Sequence, residues 1–464
     1  MSTPWAGLLD FCLLGGCLVL ATVLRARIGL LQKWLVPNNI VAGFLGYFLG
    51  GEMLGLFEIP SERFGAYVYH LLAITFIAVA LRDARPRRDT QAVSTGFVLA
   101  IGIGVQTVVG LLIAFLYALL VLPGLFPAFG YYLMLGFSQG PGQAYSLGRT
   151  WEPMGLADAG NIGLSFAAIG YIWACVVGVA LVYIGLKKKR TGYGEQIRKV
   201  SEGQRTGIYA EAVNRPEAGR LTTASSAVDG LAFHLAVVGL VYLAAYLLLK
   251  GAERLILTAG DGMVTTHLTN TLWGIHFVFA SFLAIGCRRA LNAAGRGGIL
   301  DDGLLTRISG TALDFMVTAA IAAVSIAAIR RYAGLILVTT TVGGLVTVWF
   351  VIHAVRRSGM SHTLERIASI YGTMTGTLST GLTLARIADP EFESPAPQAL
   401  VFGAAVTLPL VIPLILSSFI PLALAESRAG PWTYYPSTIA IAGAYTLVLY
   451  IVWRAAIARR RGPR

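Results

Sequence analysis

Apolar residues fall in long runs along this chain, and polar residues collect in the short gaps between them. A run near 20 apolar residues crosses the hydrocarbon core of a bilayer as a helix, at about 1.5 Å per residue. Eleven such runs are found, at 5–24, 36–56, 66–82, 93–121, 158–185, 228–249, 268–286, 306–329, 333–354, 397–424 and 435–456, which predicts an all-α membrane protein with about eleven transmembrane helices.

Two segments break the pattern. Residues 136–148 read GFSQGPGQAYSLG between the apolar stretches 131–135 and 162–184, and residues 372–384 read GTMTGTLSTGLTL. Both open with Gly-x-x-x-Gly, at Gly136/Gly140 and at Gly372/Gly376. A lipid-facing helix does not carry that composition, because irregular backbone at membrane depth is tolerated only where it lines a cavity or is buried in protein. The segments therefore predict two re-entrant hairpins, near 127–150 and 363–388. Interruptions in corresponding places of two halves point to a transporter binding site.

The long polar stretch 186–224 divides the chain. It predicts a first repeat over 1–185, a cytoplasmic linker over 186–224, a second repeat over 225–424, and an extra helix with a basic tail over 425–464. Each repeat runs four spans, a hairpin and a closing span. An odd number of spans inverts the second repeat relative to the first. With the N-terminus outside and the C-terminus in the cytoplasm, 28 of the 36 Lys and Arg residues fall on the cytoplasmic side and seven outside, the asymmetry that sets topology. Arg330 and Arg331 are a local exception, and Arg386 lies within the second hairpin. The first hairpin then dips in from outside and the second from the cytoplasm.

Composition narrows the class further. Of 464 residues 56% are hydrophobic and 13% charged, which excludes an ordinary soluble domain and excludes disorder. The net charge of +13 would suit a nucleic-acid partner, but the basic residues sit in loops between spans, so none is expected. Cys12, Cys17, Cys175 and Cys287 lie in or beside apolar runs without CxxC spacing and read as small packing residues. The first basic residues, Arg25 and Arg27, follow the run 5–24, so no cleavable signal peptide is expected. Histidines at 70, 234, 267, 276, 353 and 362 show no metal spacing. With no nucleophile elbow, phosphate loop or HExxH, nothing supports an enzyme.

The hairpin tips are where chemistry concentrates. A broken helix frees backbone carbonyls at its C-terminal end, which favour a cation, and N–H groups at its N-terminal end, which favour a carboxylate. Candidate cation ligands are Ser138 and Ser146 in the first hairpin and Thr375, Thr377, Ser379 and Thr380 in the second. Candidate substrate contacts are Gln139, Gly140, Gly142 and Gln143, with Gly376 opposite. The plainer reading is that these hydroxyls satisfy local carbonyls and these glycines permit helix contact. Gln106, deep in the fourth span, is either interhelical glue or a substrate contact. Asp314 lies mid-span, where a carboxylate costs about 2.5–3.5 kcal/mol; it binds a cation, carries a proton, or pairs with Arg or Lys. Arg386 either grips a substrate carboxylate in bidentate fashion or faces the cytoplasmic mouth and pairs with Asp389 or Glu391.

On Pro37-Asn38-Asn39-Ile40-Val41-Ala42-Gly43, on Gln106, on Gln139-Gly140-Pro141-Gly142-Gln143-Ala144-Tyr145-Ser146, and on the order of spans across 5–424, the chain resembles the sodium:glutamate symporter family. The resemblance implies two inverted five-span halves with hairpins meeting from opposite sides, a homodimer in a bacterial inner membrane, and uptake of an anionic substrate, typically glutamate. Na⁺ is then the coupling ion and no other cofactor is needed. The chain departs from the family at Gln139, where a histidine is usual, and in the second hairpin, which has none. Asp314 stands where a neutral polar residue is common, Arg386 where an asparagine is common, and the last span is added. A Na⁺/H⁺ antiporter, a carrier of another small organic anion, and a channel are the alternatives.

Overall fold

The computed structural model describes residues 5–51, 53–57, 59–83, 90–188, 202–209, 217–258, 263–389 and 394–460. Their regular structure is helical. The first half holds α1 (Ala6–Arg27), α2 (Asn38–Leu49), α3 (Ser61–Ala80), α4 (Thr90–Leu120), an irregular arm over 129–139, α5 (Pro141–Trp151) and α6 (Ala159–Lys187). The second holds α7 (Gly230–Leu257), α8 (Met263–Gly274), α9 (His276–Ala293), α10 (Asp302–Ala322), α11 (Ile326–Ser358), α12 (Thr363–Thr375), α13 (Leu378–Ala388) and α14 (Ala396–Leu416), and α15 (Pro431–Arg460) follows.

Among the described residues nine helices are long and apolar enough to cross a membrane: α1, α3, α4, α6, α7, α10, α11, α14 and α15. The chain is thus an all-α, multi-pass membrane protein. Large apolar side chains on α1, α7 and α15, such as Leu8, Leu240 and Ile451, are exposed on its outside, where lipid rather than water solvates them.

Two of the eleven expected spans take another form. The run 36–56 yields only the 12-residue helix α2. Beyond it the chain turns back at Gly50 and Gly55, with Leu54 N–H and Leu56 N–H donating to the Phe48 and Leu49 carbonyls. The run 268–286 is broken at Ile275, between α8 and α9. There the Ser146 hydroxyl occupies the Gly274 carbonyl at 2.8 Å and the His276 ring meets the Trp273 carbonyl at 3.0 Å. Side chains thus meet the two carbonyls that the break leaves without their helical partners.

At the centre α4 packs along α14, α15 and α11, and α10 along α3 and α2. The terminal helix is fastened to this core: Trp453 Nε1 donates to Ser94 Oγ at 2.7 Å, and the Tyr445 hydroxyl donates to the Leu410 carbonyl at 2.9 Å. A smaller apolar cluster joins Ile77 of α3 and Leu81 just after it to Val238 of α7, Ala284 of α9 and Leu305 of α10. Nearby His234 is fully buried and accepts the Asp301 N–H at 2.8 Å, a packing role. Of the linker, the helical turn Glu202–Thr206 is described, and the Arg205 carbonyl accepts from Arg25 Nε at 3.1 Å.

Candidate functional site

The first interrupted segment folds back on itself. Trp151, at the end of α5, returns to Tyr132 in the arm, with ring centroids 5.1 Å apart. The arm ends in a π-helical turn, Leu135–Gln139, and the chain breaks at Gly140, whose φ of 83° lies in the left-handed region that only glycine enters without strain. Pro141 then starts α5 at its first position, where a missing N–H costs nothing. The second segment also folds back: a Cβ placed on Gly372 of α12 would lie 2.9 Å from Gly381 Cα of α13, so the two arms touch backbone to backbone. Its break falls at Gly376 and Thr377, the latter extended.

The two breaks meet. A Cβ on Gly140 would stand 3.5 Å from the Thr377 methyl and 3.8 Å from the Gly376 carbonyl oxygen. Neither α5 nor α13 has a side-chain N-cap. The first intrahelical bonds are Ala144 N–H to the Gly140 carbonyl and Gly381 N–H to the Thr377 carbonyl, so the N–H groups before them have no intrahelical acceptor. Each helix start carries about half a positive charge. Two such starts and the carbonyl ends of two helices thus converge at one point.

The structure divides the residues singled out in the sequence. At the junction lie Gly140, Gly376 and the half-exposed Ser138 and Gln139. Thr377 Oγ1 lies 2.9 Å from Ser379 Oγ and 3.3 Å from Thr380 Oγ1, a cluster of three hydroxyls at the start of α13. Gly142 is packed closely against Leu72 of α3 and Met316 of α10. Gln143 is 3% exposed, and its Oε1 has no hydrogen-bond partner among the described residues. A buried acceptor of this kind calls for a donor or a cation.

Other residues point elsewhere. Thr375 Oγ1 donates back to the Tyr371 carbonyl at 2.9 Å. Ser146, further along α5, is committed to Gly274. Gln106 donates from Nε2 to the Met374 carbonyl and to Thr347 Oγ1, both at 3.0 Å, and accepts from Ser138 Oγ at 2.6 Å. Arg386 lies in the last turn of α13, beside Arg25 and Tyr209, remote from the tip. Asp389 accepts the Ser394 N–H at 2.8 Å, and Glu391 lies outside the described residues.

Asp314 flanks the junction. It sits in the middle of α10, is exposed, and accepts from Asn39 Nδ2 at 2.8 Å. A carboxylate facing lipid at that depth is unfavourable, and the Asn39 amide partners this one. Tyr171 of α6 lies within electrostatic reach of both Asp314 and Thr377, and its ring would touch a Cβ on Gly376 at 3.1 Å.

Asn39, Tyr171, Thr347 and the Met374 carbonyl were not singled out for the site from sequence. Asn39 is a paired asparagine after Pro37 and carried a usable signal; a lone tyrosine in an apolar run and a backbone carbonyl carry none. No protein-family model, curated protein or solved structure matches the chain.

Proposed function

We propose that this chain is a secondary transporter, a symporter that takes up glutamate or a related small carboxylate together with Na⁺ by alternating access. One observation carries the reading: two helix–break–helix hairpins from opposite halves of the chain meet tip to tip, with uncapped helix starts converging beside Gly140 and Gly376. Unwound segments at a repeat interface, with helix starts aimed at an anionic group, are how such carriers hold substrate. The order of elements supports two inverted repeats: a long helix, a short or broken one, two long helices, a hairpin and a closing helix occur in α1–α6 and again in α7–α14.

In this reading the substrate carboxylate lies on the N–H groups of Gly142 and Gln143 and on those opening α13. The orphaned Gln143 Oε1 accepts from the substrate or faces the cation. Na⁺ takes oxygens from the Thr377, Ser379 and Thr380 cluster, the Gly376 carbonyl and the flank held by Asp314. Coupling has an energetic reason. Moving one negative charge inward against about 100 mV costs about 2.3 kcal/mol. One Na⁺ cancels that cost and a second draws the cycle inward. The reading places the protein in a bacterial inner membrane as a homodimer, with the N-terminus outside and the C-terminus in the cytoplasm.

Uptake into proteoliposomes, screened over small acids with and without a Na⁺ gradient, tests it. Saturable, Na⁺-dependent accumulation of one acid is expected; linear flux without counterflow would indicate a channel. The accessible Asp314 favours a second reading, Na⁺/H⁺ exchange. There a Na⁺ gradient moves protons with no organic acid present.

A further inference from the structure

Gln106 stands on α4 where both hairpins and α11 come together, and it is 1% exposed. The orientation of its amide follows from its partners. The Met374 carbonyl can only accept, so the atom facing it is the donor Nε2. The second Nε2 hydrogen goes to Thr347 Oγ1, and Oε1 accepts from Ser138 Oγ. Both amide hydrogens are engaged by the protein, which leaves Gln106 no donor for a substrate carboxylate.

The Met374 carbonyl has a particular need. In a continuous helix it would accept from the N–H of Leu378, four residues on. The break at Gly376 and Thr377 removes that donor and leaves an orphan carbonyl at the end of α12. Gln106 supplies the replacement from another helix and at the same time holds Ser138 of the first hairpin. Ser138 Oγ also reaches the Met374 carbonyl, at 3.1 Å. A second contact seats the same residue independently. A Cβ on Gly102, one turn before Gln106, would stand 2.2 Å from Met374 Cε, so the methionine side chain lies flat on α4 only because residue 102 is glycine.

We propose that Gln106 is a positioning residue, a latch that ties the tip of the first hairpin to the end of α12 and keeps the two breaks in register. The latch itself is independent of what is carried; its effect on substrate affinity rests on the transporter reading. Its signature is shared consequence: a change made on one hairpin loosens the other.

Hydrogen exchange of the full-length protein in lipid nanodiscs reads this directly. Gln106→Met, close in volume and without hydrogen bonds to give, is expected to speed amide exchange about tenfold or more at residues 137–143 and also at 374–380, with α7–α9 unchanged. Ser138→Ala, made only in the first hairpin, is expected to speed exchange at 374–380 by a smaller factor. Added to Gln106→Met it is expected to cost less than the sum of the two single changes, the non-additivity of two residues in one network, with the Ser138 contact to the Met374 carbonyl as the remainder. In uptake, Gln106→Met raises the half-saturation concentration about tenfold with a smaller change in maximal rate. If Gln106→Met does not fold, Gln106→Asn, which keeps an amide but is one methylene too short to reach Met374 and Ser138 together, carries the same test. Unchanged exchange at 374–380 in these variants overturns the latch. So does lost uptake with unaltered exchange at both tips, which would make Gln106 a direct substrate contact. Exchange is measured without substrate, so failure of the wild-type protein to transport any acid would sink the transporter reading and leave the latch standing.

Discussion

In the first hairpin the helix after the break, α5, is buried at every position from 141 to 148. Its counterpart α13 in the second hairpin shows a half-exposed stripe at Leu378, Ser379, Leu382, Thr383 and Arg386, recurring every three or four residues along one face. The breaks differ too. The first is fixed by a glycine at positive φ followed by proline; the second passes through Gly376 and an extended Thr377, with a hydroxyl cluster and no proline. The first hairpin is closed around α5, and the second leaves one face of α13 half-exposed. In the proposed orientation, with the second hairpin entering from the cytoplasm, the half-exposed face of α13 would be the cytoplasmic approach to the junction. This conformation thus fits an inward-open state of the proposed carrier, with access closed behind α5.

The largest effect that would break the contrast is at Gly140. A β-branched side chain at φ 83° is strained by about 1–3 kcal/mol and would also press on Thr377. Gly140→Val is expected to abolish uptake while the protein still inserts and purifies as a single species. Gly376 is outside the left-handed region, but a Cβ there would stand 2.9 Å from Thr380 Oγ1 and 3.1 Å from the Tyr171 ring, so Gly376→Ala is expected to displace Thr380 and to lose less than Gly140→Val. Equal losses from the two substitutions would show that the breaks are equivalent after all.

Next comes access. In a cysteine-free background, Ser379→Cys and Thr383→Cys on α13 are expected to react with a small hydrophilic maleimide at least about tenfold faster than Ala144→Cys and Leu147→Cys on α5, because a buried thiol is inert. Applied from each side of sealed vesicles, the reagent should reach α13 from the cytoplasmic side. Equal rates on the two helices would remove the distinction between the buried helix and the half-exposed one.

A smaller effect is expected at Asp314. If it faces Na⁺, Asp314→Asn raises the Na⁺ concentration for half-maximal uptake by about tenfold, the scale of a charge-assisted contact, and that of the substrate by less. An unaltered Na⁺ requirement would assign Asp314 to proton transfer or to holding Asn39.

How much of this was legible in the sequence depends on whether the deciding contact is local. The breaks at Gly140 and Gly376 fall inside the two segments marked by glycine and proline, since those residues act on their own backbone. The long spans were legible because hydropathy and length settle them. The break at Ile275 was hidden, because the Ser146 hydroxyl that meets the Gly274 carbonyl there comes from more than a hundred residues away. For the same reason Ser146 read as a tip ligand, and Gln106 stood open between interhelical glue and substrate contact, when the partner of the first is Gly274 and those of the second are Thr347 and Met374. Side-chain commitments across the bundle are invisible in a list of residues, and polar groups in apolar runs advertise only that they need a partner.

The smallest effect is expected where the sequence left two readings open. Arg386 was either a clamp on the substrate or a charge at the mouth. Leu378 opens α13, and at about 1.5 Å per residue the eight residues to Arg386 place its backbone roughly 12 Å from the junction. The guanidinium lies beside Arg25 and Tyr209, where the linker turn meets α1. In that position it supplies a positive charge to the C-terminal turn of α13. A helix end needs the charge and not the planar fork, so lysine serves nearly as well. Arg386→Lys is therefore expected to keep the substrate half-saturation concentration within about twofold, since a helix-end charge contributes at most about 1 kcal/mol and lysine retains it. A bidentate clamp would instead lose about 1.5–3 kcal/mol, more than tenfold in affinity. A loss of that size, measured in uptake from the outside and in binding from the cytoplasmic side, would bring Arg386 to the junction in some other conformation and make the half-exposed face of α13 part of the substrate site itself.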